Sequence, residues 1–297
     1  MTDRQRGMVL VALAASSFGV LPMVARGIYA TSDLRPTDVA IWRMGLAFVA
    51  LTAWVVWRQG REGLRPPLPL WQHALMGLTY GGAVLGAFFA LDYIPGSLFS
   101  VLVFCYPAMV ALISLALGVR ISAAGWAALG LTLLGVVLTV PSGDLLTGAN
   151  LTGVLITFAT ALCAALYFIV SSRFMRVSGE VVLTGTLYMI GFMMLFFLLL
   201  IVMFGFRWPP LHVWPHLLFL SIGCTVLAFI ALNAGIRRIG APEASILGSF
   251  EPMVSMVMGS VIVGEVLTQW QWVGAALIIV AVVVLQVLPA QPQGKLA

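Results

Sequence analysis

Residues 245–264 read SILGSFEPMVSMVMGSVIVG, and residues 100–118 read SVLVFCYPAMVALISLALG. Both stretches are almost wholly apolar, and each contains an internal proline. Three residues recur between them at one constant offset along the chain: Ser100, Leu102 and Pro107 match Ser245, Leu247 and Pro252. An apolar run of about 20 residues can cross a bilayer as a helix. The two stretches therefore indicate a membrane protein with two related halves.

The composition of the whole chain excludes a water-soluble fold. Of its 297 residues, 62% are hydrophobic and 8% are charged, and the mean hydropathy is +1.09. A soluble domain carries about 25% charged residues. The net charge of +5 does not indicate nucleic-acid binding, because the basic residues are scattered in ones to threes. The three cysteines fall inside apolar runs, where they serve as small apolar side chains.

Apolar runs of membrane-spanning length predict an all-α integral membrane protein with ten transmembrane helices. The first run follows Arg4 and Arg6 like a signal peptide, but it is too long for one, so we predict an uncleaved helix. Continuous apolar runs favour helices over a barrel. The predicted spans are 7–29, 39–57, 71–91, 98–118, 123–140, 151–171, 182–204, 214–236, 244–264 and 270–288.

The distribution of basic residues predicts that both termini face the cytoplasm, because cytoplasmic loops are enriched in Lys and Arg. With the N-terminus inside, two basic residues, Arg35 and Arg207, lie outside, and Arg26 and Arg43 lie within spans near the outer face. Eleven lie on the cytoplasmic side: Arg4, Arg6, Arg58, Arg61, Arg65, Arg120, Arg173, Arg176, Arg237, Arg238 and Lys295.

Further matches extend the internal repeat. After a one-residue slip, Trp126 and Gly130 match Trp270 and Gly274, and the polar segment 141–150 has the composition of a boundary. Five spans in each half mean that the second half enters the membrane from the opposite side. We therefore predict two inverted five-helix repeats, 1–145 and 146–297, an arrangement common in secondary transporters. The alternative is chance similarity between apolar helices.

The segment GSFEPMVSMVMGSVIVGEVLTQWQWVGAALII, residues 248–279, resembles the end of an EamA-type module of the drug/metabolite transporter superfamily. The resemblance rests on three features: Glu251–Pro252, Gly264–Glu265, and Trp270 or Trp272 with Gly274. The first half departs from the pattern, since Tyr106 stands in place of the Glu and Arg120 falls where Glu265 would be expected. The resemblance implies a ten-helix exporter of the bacterial inner membrane, most like the exporters of aromatic amino acids.

Glu251 is the deepest predicted charge in the membrane, and such charges are candidates for function. It could bind a substrate ammonium group or exchange a proton, or it could instead bond to a neighbouring helix beside the Pro252 kink. Spans four and nine are the predicted cavity walls. The candidate substrate-binding residues are Tyr80, Phe104, Tyr106, Tyr167, Asn233, Ser245, Ser249 and Glu251, and the candidate hinges are Pro22, Pro107 and Pro252.

Two arginines allow alternative readings. Arg26 and Arg43 could form an outer gate with Asp38 or Asp92, could bind a substrate carboxylate, or could extend to the lipid headgroups.

Four glycines of span three suit close helix packing: Gly77, Gly81, Gly82 and Gly86. The sequence contains no nucleotide-binding loop and no catalytic motif, so neither a cofactor nor a metal is predicted.

These observations predict a non-enzymatic exporter of amino acids, aromatic or otherwise amphipathic, and similar small metabolites, which works by alternating access. Its predicted partners are the small-molecule substrate and the lipid bilayer, with no nucleic acid and with a monomer as a plausible state. The first alternative is a multidrug exporter of toxic cations from the same superfamily. The others are a membrane-embedded lipid enzyme and a scaffold or sensor.

Overall fold

The computed structural model describes residues 1–139, 150–175, 181–264 and 266–287, and every regular element in these ranges is helical. The first half contains α1 (Asp3–Thr31), α2 (Pro36–Gln59), α3 (Leu70–Ala90), α4 (Gly96–Val103), α5 (Tyr106–Ala116) and α6 (Ala123–Thr139). The second contains α7 (Leu151–Phe174), α8 (Val181–Phe204), α9 (Trp214–Ser221), α10 (Ala228–Gly248), α11 (Phe250–Met258) and α12 (Gln269–Val287). Short π-helical segments, Ile222–Leu227 and Gly259–Val263, follow α9 and α11.

Seven helical segments of the described chain are long and apolar enough to cross a membrane. They are Asp3–Thr31, Pro36–Gln59, Leu70–Ala90, Leu98–Ala116, Leu151–Phe174, Val182–Phe204 and Leu211–Gly248. Three shorter apolar helices correspond to the predicted spans five, nine and ten: Ala123–Thr139, Phe250–Ile262 and Gln269–Leu285. The all-helical membrane fold agrees with the sequence, whereas the ten crossings and their orientation stay predictions.

The junction between predicted spans eight and nine differs from expectation. The sequence predicted a connection over residues 237–243, whereas the structure joins two helices directly at a kink at Gly240, within that range. Gly240 has φ 81° and ψ 172°, a backbone conformation that is available essentially to glycine alone. One residue therefore changes the chain direction where a loop was expected.

Some predictions fall on residues that the structure does not describe. The boundary at residue 145 and most of the segment 141–150 lie outside the described ranges, as do Arg176, Glu265 and Lys295. Asn150 is described, and its side-chain oxygen accepts a hydrogen bond from the Thr152 amide at 2.9 Å, which caps the start of α7.

Two helices are interrupted just before their prolines. Phe104 separates α4 from α5 with φ −73° and ψ 8°, and Ser249 separates α10 from α11 with φ −70° and ψ 2°. Pro107 and Pro252 each lie three residues after the break. Proline cannot donate the helical hydrogen bond, and its ring crowds the preceding turn. Equivalent prolines thus produce equivalent breaks.

Helices of the first half pack mainly against helices of the second half. The largest contacts join α1 to α10 and α11, α3 to α7 and α8, and α6 to α12. Small residues permit this approach: a Cβ at Gly19 would lie 2.7 Å from the carbonyl oxygen of Glu251. On α3, Gly77 and Gly81 lie against α8, and Gly82 and Gly86 lie against α7. The halves form one continuous core.

The buried carboxylate of Asp38 links the residue before α2 to the segment after α8 at one end of the bundle. Asp38, fully buried, accepts hydrogen bonds from the Arg35 amide and guanidinium, each at 2.9 Å, and from the Arg207 amide at 3.0 Å. The hydrogen bond to Asp38 raises the pKa of the Arg35 guanidinium above its ordinary value. The Trp42 indole donates to the Arg207 carbonyl at 2.8 Å. The segment after α8 is therefore fastened to the start of α2.

At the other end, ion pairs fasten the start of α1 to the second half. The Arg4 guanidinium lies 3.2 Å from the Glu243 carboxylate and donates to the Leu285 carbonyl at 2.6 Å. The Asp3 carboxylate lies 3.1 Å from the Arg238 guanidinium. These contacts hold α1 against α10 and α12.

The break at Gly240 predicts a position that requires glycine. Gly240→Ala is expected to destabilise the fold by about 1–3 kcal/mol, because alanine would adopt a strained backbone conformation. Gly130→Ala is the matched control, since Gly130 lies within α6 with open space around its Cα and should tolerate a methyl group. Thermal unfolding of both variants in detergent measures the difference. Equal melting temperatures would contradict the strained geometry at Gly240.

Candidate functional site

A cavity of about 380 Å³ lies between the two halves. Helices α1, α3, α4, α5, α7, α10 and α11 contribute its walls. The lining residues are Val11, Ala15, Phe18, Pro22, Tyr80, Ala83, Val84, Ala87, Phe99, Ser100, Val103, Phe104, Tyr106, Thr160, Ala164, Phe168, Leu232, Gly248 and Glu251. The volume lies within the range of small-molecule sites, about 300–1,000 Å³.

Helical periodicity explains which residues line the cavity. On α7, Thr160, Ala164 and Phe168 follow one another at intervals of four residues and share one face. On α3, Tyr80 and Ala87 are two turns apart and face the same way. Small side chains at Ala87 and Ala164 leave room that larger ones would fill. Small and aromatic residues on these helix faces therefore form the cavity wall.

Three of the five polar lining residues already have hydrogen-bond partners. The Ser100 hydroxyl donates to the Gly96 carbonyl at 2.9 Å, and the Thr160 hydroxyl donates to the Ile156 carbonyl at 2.8 Å. The Tyr106 hydroxyl donates to the carbonyl of Ser245 at 3.2 Å. Their donors are thus occupied within the protein.

The other two polar lining residues are Tyr80 and Glu251. Neither the Tyr80 hydroxyl nor the Glu251 carboxylate has a hydrogen-bond or ion-pair partner among the residues that the structure describes. Glu251 lies within electrostatic reach of the hydroxyls of Tyr80 and Tyr106. A carboxylate without a partner is costly in a membrane interior, so this one is available to a ligand or to a proton.

The interrupted helices bring backbone acceptors to the cavity. Pro107 has no N–H to donate to the carbonyl of Val103, and Pro252 has none for the carbonyl of Gly248. Val103 and Gly248 both line the cavity. Interrupted helices in transporters offer such carbonyls to substrates and ions. The acceptors therefore lie at matching positions in the two halves.

The structure brings together four of the eight predicted substrate-binding residues: Tyr80, Phe104, Tyr106 and Glu251 line the cavity, and so does the predicted hinge Pro22. Pro22 lies inside the continuous helix α1, whereas Pro107 and Pro252 follow helix breaks. The remaining four candidates, Tyr167, Asn233, Ser245 and Ser249, are fully buried and do not line it.

Tyr167 and Asn233 belong to a polar network that joins three helices behind the cavity. The Tyr167 hydroxyl donates to the Asn233 side-chain oxygen at 2.8 Å, and the Asn233 amide donates to the Thr186 hydroxyl at 3.0 Å. The Tyr167 ring also meets the Tyr80 ring edge-on at 4.9 Å. The network therefore connects α7, α10 and α8 and supports Tyr80 from behind.

The two serines bond within their own helix. The Ser245 hydroxyl donates to the Pro242 carbonyl at 2.9 Å, and the Ser249 hydroxyl lies 3.5 Å from the Ser245 carbonyl.

The outer gate that paired Arg26 or Arg43 with Asp38 is not observed, because Asp38 pairs with Arg35. Within the described residues, no group of three His, Cys, Asp or Glu side chains could hold a metal ion.

Sequence reasoning missed the walls that α1 and α7 contribute. Phe168 lines the cavity, while its neighbour Tyr167, which was predicted, points towards Asn233. The four-residue spacing of Thr160, Ala164 and Phe168 was the signal that could have identified this face. On α1, Val11 and Ala15 carry a similar spacing, but apolar residues surround them on every side in the sequence.

The EamA-like transporter family model matches residues 5–140 and 151–287. The chain belongs to the EamA-like transporter family. It is therefore a member of a family of multi-pass membrane transporters, as the Glu251–Pro252 segment indicated.

Two curated relatives are named as uncharacterized transporters. The chain is 30% identical over 154 residues to YyaM of Bacillus subtilis (strain 168), a match that covers 50% of each protein. The matched region of this chain thus spans about half the length of that relative. It is 24% identical over 324 aligned positions to sll1319 of Synechocystis sp. (strain ATCC 27184 / PCC 6803 / Kazusa), covering 96% of this chain and 94% of that protein.

A crystal structure shares the fold. It superposes with a TM-score of 0.78 at 23% sequence identity and covers 94% of this chain and 96% of its own. At this identity the similarity extends to the fold alone.

Two neighbouring tyrosines should respond differently to loss of the hydroxyl. Tyr80→Phe is expected to weaken binding of a transported solute by about tenfold, because it removes a free donor from the cavity, and to leave the melting temperature unchanged. Tyr167→Phe should lower stability by roughly 1 kcal/mol, because Asn233 loses its partner, and leave solute affinity unchanged. Thermal unfolding and solute competition assays on both variants separate the two roles. The reverse pattern would contradict the assignment of Tyr80 to the cavity.

Proposed function

We propose that this EamA-family protein exports amino acids, aromatic or otherwise amphipathic, and similar small metabolites across the bacterial cytoplasmic membrane. The observation that carries the proposal is the Glu251 carboxylate, which has no partner among the residues that the structure describes and lines a cavity walled by aromatic and small apolar residues. A pocket with mostly apolar walls and a few placed polar groups suits an amphipathic solute.

The chemistry of an amino acid matches this cavity. Its ammonium group can donate to the Glu251 carboxylate and to the carbonyls that Pro107 and Pro252 leave without their helical donor. Its apolar side chain can pack against Phe18, Phe104 and Phe168. The volume of about 380 Å³ accommodates a solute of this size.

Alternating access between the two halves is the proposed mechanism. The first step is binding beside Glu251, near the breaks at Phe104 and Ser249 where the helices can bend. Re-orientation then requires separation of α1 from α10 at the end where Arg4 meets Glu243. The driving force is the gradient of the solute itself or a coupled proton carried by Glu251. No chemical reaction is part of this proposal.

A multidrug exporter of lipophilic cations is the second candidate function. The observation that favours it is that Glu251 is the charged residue of the cavity lining, and an anionic group between aromatic rings attracts organic cations. The two candidates differ in the solutes that the purified protein should move.

Uptake into proteoliposomes tests both functions. Full-length protein is reconstituted, and labelled phenylalanine, leucine, glutamate and tetraphenylphosphonium are offered separately, with empty liposomes as the control. Uptake of phenylalanine or leucine above the control supports the amino acid exporter. Uptake of tetraphenylphosphonium alone supports the cation exporter and overturns the first proposal.

Proton coupling predicts a specific defect in Glu251→Gln. The amide keeps the shape of the side chain but cannot exchange a proton, so an imposed pH gradient should no longer accelerate uptake. Glu62→Gln is the matched control, because Glu62 is exposed and lies outside the cavity lining, and it should keep the stimulation. Initial rates with and without the gradient give the comparison. Full stimulation in Glu251→Gln would show that the proton does not travel on this residue.

A further inference from the structure

The two interrupted helices pack tightly on one side of each break and loosely on the other. After the break at Phe104, α5 buries side chains between residues 106 and 114. Before the break at Ser249, the end of α10 is buried at every residue from 244 to 248. In contrast, none of the α4 side chains that the structure describes is buried, and Met253 is the one buried residue of α11. α4 and α11 therefore have few contacts that would oppose movement.

α4 and α11 lie on the same side of the two breaks. Glu243 and Ser245 precede the break between α10 and α11, and Glu243 pairs with Arg4. Tyr106, whose hydroxyl donates to the Ser245 carbonyl at 3.2 Å, follows the break between α4 and α5. α4 packs mainly against α7 and α11 mainly against α1, and both line the cavity. The interrupted helices are thus joined on the side of the Tyr106–Ser245 bond and separated by the cavity on the other.

The internal repeat relates the joined side to the cavity side. At the constant offset of the repeat, Tyr106 corresponds to Glu251, and Ser245 corresponds to Ser100. One family model matches each half of the chain in turn. Glu251 and Ser100 both line the cavity, and within the described structure they make no hydrogen bond with each other. The bond from Tyr106 to Ser245 therefore has an unformed counterpart across the cavity.

The chemistry of the unformed contact depends on a proton. The Ser100 carbonyl accepts from the Phe104 amide at 3.2 Å, and a carbonyl oxygen has a second lone pair for another donor. A protonated carboxyl group has one O–H to donate, as the Tyr106 hydroxyl has, whereas an ionised carboxylate only accepts. Because a glutamate side chain is shorter than a tyrosine side chain, α4 and α11 must approach closely for this bond to form.

We propose that protonated Glu251 closes the cavity by donating a hydrogen bond to the Ser100 carbonyl, as the counterpart of the bond from Tyr106 to Ser245. This inference rests on the proposed function, in which Glu251 can carry a proton, and it names the conformational change that the proton controls. Alternating access moves one repeat against the other around a fixed site. When the two halves exchange conformations, the bond on the joined side breaks and its counterpart forms.

No fixed cation of the described chain lies in the cavity lining beside Glu251. The other titratable side chains of that lining are Tyr80 on α3 and Tyr106 on α5. α6 and α12 also pack against α11 and carry no charged residue in their described ranges. Outside the lining, the titratable groups on the remaining helices that pack against α11 are Asp3, Arg4, Arg6, Arg26 and Tyr29 on α1 and Arg237, Arg238 and Glu243 on α10. A proton or a bound solute therefore sets the charge of Glu251.

The distance between α4 and α11 reports closure without any solute. Spin labels are attached at Val101→Cys and Val257→Cys, outside the cavity lining, in the full chain with its native cysteines replaced by alanine. Electron–electron double resonance on protein in liposomes gives the distance distribution at about pH 5 and about pH 9, a range in which carboxyl groups of proteins titrate. With Glu251 present, the shorter distance should be the larger population at the lower pH and the smaller one at the higher pH.

Two substitutions of Glu251 should act in opposite directions. Glu251→Gln keeps a permanent N–H donor and should hold the shorter distance at both pH values. Glu251→Ala has no donor and should hold the longer distance at both. Glu62→Gln is the matched control, because Glu62 is exposed and outside the cavity lining, and it should keep the pH response. Thermal unfolding of each variant verifies that it is folded.

Equal distances in Glu251→Gln and Glu251→Ala would overturn the inference, and so would a distance that does not change with pH when Glu251 is present. These outcomes are separate from the identity of the solute. If phenylalanine is taken up by proteoliposomes but the two variants give equal distances, the inference fails and the proposed function stands. If the variants differ as expected but no amino acid is taken up, the inference stands and the proposed solute is wrong.

Discussion

The hydrogen bond from the Tyr106 hydroxyl to the carbonyl of Ser245 joins the two interrupted helices on which the site depends. At the break, the Ser249 amide donates to the Ile246 carbonyl at 3.2 Å and not to the Ser245 carbonyl, which accepts instead from the Tyr106 hydroxyl and, at 3.5 Å, from the Ser249 hydroxyl. In a bilayer no water can supply a donor in their place. Tyr106 is the first residue of α5, and its side chain lies against Gly248. The proline-induced breaks in both halves are therefore coupled, and the cavity forms beside them.

The charges of the described chain follow one rule, with two exceptions. Carboxylates are either paired with arginine, as Asp38 and Glu243 are, or exposed at the ends of the bundle. Glu251 and Arg43 are half-buried and have no ion-pair partner among the described residues, and Glu251 lines the cavity together with Tyr80. Membrane proteins tolerate such groups chiefly where they serve transport. The distribution of charge thus identifies the same region as the cavity.

The sequence predicted the helical membrane fold, because the length of apolar runs can be read directly from it. Four of the eight predicted substrate-binding residues line the cavity, and their role in binding stays a prediction. Pro107 and Pro252 identified the two interrupted helices, and Glu251 and Tyr106, next to them, line the cavity. Tyr167 was misplaced by a single residue, since a helix turns about 100° per residue and Phe168 takes the inner face. The direction change at Gly240 was read as a loop, because a lone glycine does not reveal its φ angle.

The central claim is that the cavity beside Glu251 is the path of the solute. The most direct measurement places one cysteine at Ala87, on the cavity wall, in a chain whose Cys105, Cys163 and Cys224 are replaced by alanine. A membrane-impermeant thiol reagent should label Ala87→Cys and stop transport, and a transported solute should slow the labelling. Leu78 lies on the outer, apolar face of α3, outside the cavity lining. Leu78→Cys should stay unlabelled, because this face is expected to meet the bilayer, which the reagent does not enter. Complete labelling of Ala87→Cys with undiminished transport would contradict the claim.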